Sequence, residues 1–133
     1  QRLIDSNGDI VITYDPNWKD LWTKRFEDPL SDAETFKLSG NQVVEIGQVA
    51  SSIDEIEGQY MGLVKYTPTG WSQVSMYLNS LSQIDIDQMD MTKLLQNLIK
   101  NGIVINAVSI EDNWYEVDSE SDLNIYINEP PII

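Results

Sequence analysis

The chain has 133 residues and contains neither cysteine nor histidine. Their absence excludes disulfides, thiol nucleophiles, zinc-finger sites and Ser-His-Asp triads at once. Any metal ion held by such a chain must be a hard one bound through oxygen. Bases are scarce too: eight Lys and Arg stand against 22 Asp and Glu, for a formal charge of −14. After Ser51 the only bases are Lys65, Lys93 and Lys100. A field of that sign repels nucleic-acid backbones and anionic lipid, so neither is an expected partner. Long apolar runs are missing, and without a stretch of about 18 apolar residues no membrane span is expected.

The opening, Gln1-Arg2-Leu3-Ile4-Asp5, has no apolar leader core and no initiator Met. The expectation is therefore a processed or truncated product. Absent cysteine fits the cytoplasm, the compartment expected here, although exported proteins also lack it. What is present argues for a packed core: 41% of residues are hydrophobic and four are Trp. The length suits one domain over residues 1–133. The plain meaning of the charge is a soluble, self-repelling surface.

Asp9 to Tyr14 is a β-branched run entered through Asn7-Gly8 and ended by Asp15-Pro16-Asn17, which reads as a buried strand. Trp18, Leu21, Trp22 and Arg25 follow helical spacing, and Phe26 to Asp32 reads as an exposed acidic loop. Glu34 to Leu38 and Gln42 to Ile46 flank Ser39-Gly40-Asn41 and predict a β-hairpin. A further strand is expected over Gly58 to Tyr66. Its two glycines suggest close approach of another group to the backbone. Thr67-Pro68 is a helix start, with Trp71, Val74, Tyr77, Leu78 and Leu81 as the apolar face. Asp90 caps a second helix, Met91 to Lys100, with Leu94, Leu95, Leu98 and Ile99 inward and Asn101-Gly102 as its stop. A strand over Ile103 to Ile110, an extended piece over Trp114 to Val117 and a last helix opened by Ser119-Glu120-Ser121-Asp122 complete the order. These alternations predict an α/β or α+β domain: a mixed β-sheet with flanking helices.

Chemistry concentrates in the acidic run from Glu111 to Asp122. A carboxylate between a strand end and a helix start, such as Asp118, is well placed to hold Mg²⁺ at a cleft mouth. The plainer alternative is that Asp118 or Ser119 only caps the helix. Lys19, Lys24 and Arg25 form the one basic cluster, suited to a phosphate or simply to solvent. Gln59 and Tyr60 can reach a ligand, or Tyr60 can pack in the core. Trp71, Met76 and Tyr77 read as core rather than as a cofactor box.

The segments Asp9 to Asp15, Asp32 to Leu38, Val44 to Gly47, Gly58 to Leu63 and Trp114 to Leu123 together resemble the C-terminal half of nucleotidyltransferases. Sugar-phosphate nucleotidyltransferases and bacterial phosphocholine cytidylyltransferases are the families concerned. The sharpest piece, Glu116-Val-Asp-Ser-Glu-Ser-Asp-Leu123, resembles the family ending Asp-[Ser/Thr]-x-x-Asp-Leu. The resemblance implies the C-terminal portion of a Rossmann-like fold. It also implies transfer of a nucleotidyl group from an NTP, with CTP the implied nucleotide, to a phosphorylated acceptor with release of pyrophosphate. Asp118 would then be the second Mg²⁺ ligand, Glu116 would orient the metal's water shell, and Gly58, Gln59 and Tyr60 would line the acceptor pocket. The Gly-rich phosphate loop and the first metal-binding Asp are expected outside these residues.

Many sugar-nucleotide members carry a Lys after the Glu near the end of the second hairpin strand, whereas Glu45 is followed here by Ile46-Gly47. That favours a non-sugar acceptor, such as phosphocholine or a phosphonate. Trp18, Trp22, Tyr60, Trp114 and Tyr115 are the aromatics available to cage a quaternary ammonium. A sheet edge left open by an absent half would favour a homodimer or strand addition. The rival class is a non-enzymatic acidic protein-binding module that uses the −14 field against a basic partner.

Overall fold

The computed structural model describes residues 1–19, 34–111 and 120–128. Its centre is β1 (Ile10–Asp15), where Ile10, Val11, Ile12 and Thr13 are all buried. A strand covered on both faces needs such an uninterrupted apolar run rather than an alternating one. β1 pairs antiparallel with β4 (Gln59–Tyr66) and parallel with β5 (Asn106–Ser109). β2 (Glu34–Ser39) and β3 (Gln42–Val49) form the expected hairpin, and β3 joins β5 through the Gln42 and Asn106 pair. The sheet order is β2-β3-β5-β1-β4, with both parallel and antiparallel neighbours as the sequence implies.

Helices close the sheet. After α1 (Arg2–Asp5), the helix α2 (Pro68–Asn79) starts at Thr67, whose Oγ1 accepts from the Gly70 amide at 3.1 Å. The Thr67 hydroxyl also donates to Asp9 Oδ1 at 2.7 Å, which ties the helix start to the entry of β1. The short α3 (Gln83–Asp87) precedes α4 (Met91–Lys100), which Asp90 caps by accepting from the Lys93 amide. α5 spans Glu120–Asn128 and buries Asp122. Leu95 and Leu98 of α4 meet Ile10, Ile12, Phe36, Val43, Ile46, Val74 and Ile105 in one core. Among the described residues no helix is long and apolar enough to cross a membrane.

Several expectations need correction. Trp71 and Met76 are exposed, at 53% and 74%, rather than core. α2 turns Val74 to the sheet, and Trp71 instead sets its ring edge-on to Tyr66 at 5.5 Å. β5 is shorter than the expected 103–110 because its first residues finish α4: the Gly102 amide donates to Ile99 O and the Ile103 amide to Leu98 O. That pair of bonds is the Schellman stop, and it satisfies carbonyls the helix leaves open. α3 has no counterpart in the sequence reading, since its Ile84 is 69% exposed and gives no apolar stripe. The expected extended piece over Trp114 to Val117 lies outside the described residues, as does the part of the expected Trp-rich helix that falls after Lys19.

Candidate functional site

The site is built where β4 breaks its pairing with β1. Ile12 pairs with Val64 and Tyr14 with Tyr60, so Met61, Gly62 and Leu63 together oppose Thr13 alone. Gly62 takes a φ of +87°, a conformation natural to glycine, and Thr13 Oγ1 donates to Leu63 O at 3.3 Å. Such bulges bend a strand and re-aim its side chains. Here the bulge opens a cleft of about 260 Å³ between β4 and the β2–β3 hairpin. Glu34, Thr35 and Phe36 form one wall, Gly58 to Gly62 the other, and Ile46 and Thr92 the remainder.

Each wall is fixed by specific contacts. A side chain at Gly58 would place its Cβ 2.4 Å from the Tyr14 ring, so only glycine lets the chain enter β4 here. The loop before it is held by the Trp18 indole, which donates to Ile56 O at 3.1 Å, and by the Glu57 amide, which donates to Phe36 O at 2.8 Å. Trp18 is therefore a buried strut and not part of an aromatic cage. Thr92 is set by its own helix: buried Gln96 donates to Ile46 O at 2.8 Å and staples α4 to β3. Gly47 permits this approach, because a Cβ there would lie 2.3 Å from Thr92 Cγ2 and 2.7 Å from Gln96 Nε2.

Tyr60 is both ligand-facing and core-packed: it lines the cleft and also packs against the hydrophobic core. Burial, assisted by neighbouring Tyr66, pushes its phenol up to about 12, so it stays neutral as donor and acceptor. Burial raises Tyr66 likewise. Glu34 is the one charged side chain among the described lining residues, and no Lys or Arg lines the cleft there. Among the described residues, nothing on these walls neutralises a phosphate.

Next to the cleft lies a carboxylate that sequence pattern alone does not single out as functional. Asp15 ends β1, pairs with Gln59 and is only 7% exposed. The Asn17 amide donates to its Oδ1 at 2.8 Å. β1 and β5 run parallel and finish together, and the Ile110 amide donates to Tyr14 O at 2.9 Å. Ligands of α/β sheets gather at the carboxyl ends of parallel strands. The signal in the sequence was an Asp closing a buried strand immediately before Pro16. Thr92 gave none, since only the helix packing brings it to the cleft. Of the residues expected to act, Gly58, Gln59 and Tyr60 come together, while Glu116 and Asp118 lie outside the described residues, as do Trp22, Lys24, Arg25, Trp114 and Tyr115. Among the described residues no cluster of three or more potential metal-ligating side chains occurs.

No protein-family model matches the chain. The chain is similar to the CTP:phosphoglutamine cytidylyltransferase of Campylobacter jejuni, with 38% identity over 133 residues. That match covers 96% of this chain and 53% of the relative, so the chain spans about half the length of the curated protein it matches. Among solved structures it is similar to the inositol-1-phosphate CTP transferase from T. maritima, with a TM-score of 0.63 and 21% identity. That likeness covers 94% of this chain and 45% of the other. The expected resemblance to cytidylyltransferases is borne out by the first comparison, and the α/β nucleotidyltransferase-like fold by the second.

Proposed function

We propose that this chain is the acceptor-side part of a nucleotidyltransferase that moves a cytidylyl group from CTP to a phosphorylated small molecule. The carrying observation is the cleft formed by Gly58, Gln59 and Tyr60 beside the buried Asp15. In this reading the acceptor lays its organic end between Tyr60 and Phe36, where the described walls are polar but free of bases. Its phosphate points out towards Asp15. One acceptor phosphate oxygen then forms a bond to the α-phosphorus of CTP while the bond to pyrophosphate breaks. A phosphoglutamine-like acceptor, with a neutral amide able to meet Gln59 and Thr92, is the first to test, by similarity to the relative.

A divalent ion fits the donor chemistry present. Asp15 is a hard oxygen donor held rigidly at a strand end, and in a chain without Cys or His only such donors exist. One carboxylate is seldom enough, so Asp118 is proposed as its companion, with Glu116 orienting the ion's water. When bound, Mg²⁺ would stabilise negative charge that builds on the phosphates. The protein's own share is positioning: Gly58 admits the acceptor, Tyr60 and Gln59 orient it, and Asp15 fixes the reacting end. The nucleotide-binding residues are proposed to lie outside this chain. The NTP requirement favours the cytoplasm, and the outer edge of β4, which no other strand pairs among the described residues, would favour a homodimer. No observation favours the acidic binding module.

The test is turnover by the complete protein carrying Asp118→Ala or Asp15→Asn. Each should lower kcat by about 100-fold or more with circular dichroism unchanged. Full turnover in both variants contradicts the proposal.

A further inference from the structure

The sequence holds two Asn-Gly pairs, Asn7-Gly8 and Asn101-Gly102, and the fold treats them in opposite ways. Asn-Gly is the dipeptide most prone to loss of the side-chain amide, because an unbranched residue follows the asparagine. Asn101-Gly102 closes α4 and is held at both reacting groups. The Asn101 carboxamide donates to Asn97 O at 2.7 Å, and the Gly102 amide donates to Ile99 O at 3.0 Å. Asn7-Gly8 joins α1 to β1, and Asn7 is exposed. Its neighbours are anchored: Ser6 O accepts from Lys65 Nζ, and Asp9 O accepts from the Thr67 amide at 2.9 Å. Among the described residues neither the Asn7 carboxamide nor the Gly8 amide makes a hydrogen bond.

We infer that Asn7 is a site of spontaneous deamidation in the folded protein, and that the fold protects Asn101. The Gly8 backbone nitrogen, having lost its proton to solvent base, attacks Asn7 Cγ. The new C–N bond closes a succinimide, the Cγ–Nδ2 bond breaks, and the carboxamide nitrogen leaves as ammonia. Water then opens the ring at either carbonyl, giving aspartate or isoaspartate; overall one water is consumed and one ammonia released. At Asn101 the same closure must first surrender two hydrogen bonds and unwind the helix stop. The expected difference between the pairs is therefore about tenfold or more in rate. The product places a new carboxylate between Asp5 and Asp9. Isoaspartate also lengthens the main chain just before buried Ile10, where Gly8 already lies against the Asn106 side chain.

The experiment is peptide mapping by mass spectrometry of the purified chain, aged at neutral pH in its folded state and, separately, in urea. The folded chain should convert Asn7 to a mixture of aspartate and isoaspartate about tenfold or more faster than Asn101. In urea the two rates should converge. An Asn7→Gln chain should lose the fast conversion and keep the slow one. Equal rates in the folded chain overturn the inference. So does an Asn7 that stays intact while the unfolded chain converts.

Discussion

Two side chains near the cleft carry effects that can be read one residue at a time. Burial pushes the Tyr60 phenol from the ordinary 10 up to about 12. Because its folded value is raised, its contribution to stability is full below pH 10 and is lost as pH rises towards about 12. Tyr66 adds a loss of the same sign. Urea unfolding midpoints should therefore fall over that alkaline window, and Tyr60→Phe should flatten the fall without removing it. Gln96 is the second case. Gln96→Leu leaves Ile46 O without its buried donor and should cost about 1–3 kcal/mol in urea unfolding. At this scale the sequence showed Gly58, Gln59 and Tyr60 because two glycines bracket an aromatic in a strand. It hid Gln96 and Thr92, whose meaning depends on Gly47 letting a helix from fifty residues away lie against β3.

The elements were legible wherever their ends carry chemistry. Thr67-Pro68 and Asp90 mark helix starts through hydroxyl and carboxylate caps, and Asn101-Gly102 marks a stop, and all three occur as such in the fold. Thr67→Ala removes both the Gly70 cap and the bond to Asp9 Oδ1, and should cost about 1–2 kcal/mol by thermal or urea unfolding. Amphipathic patterning served α4, where Leu95 and Leu98 are fully buried, better than α2. In α2 spacing alone predicts Trp71 inward, yet it finds Tyr66 at the surface. The bulge of β4 was not legible, because register depends on the partner strand: nothing local says that three residues will oppose Thr13. That bulge is what opens the cleft.

For the whole molecule, the alternation of strands and helices was sufficient to anticipate a mixed sheet, and the buried run of β1 to place its centre. The position of Asp15 at the end of that central strand emerges only once β5 is seen to run parallel beside it. The similarity to a cytidylyltransferase spans nearly all of this chain and about half of the relative, and it supports the proposal that this chain supplies one side of such a site. Under the proposed function, an acidic chain of net charge −14 that met phosphates would need cations from elsewhere, which is the electrostatic reason to propose a divalent ion. The central claim is tested most directly by pyrophosphate release from CTP by the complete protein. The account predicts release only when a phosphorylated acceptor such as phosphoglutamine is present, and its loss when EDTA removes the divalent ion. The claim is contradicted if no phosphorylated acceptor elicits release, or if release continues undiminished in EDTA.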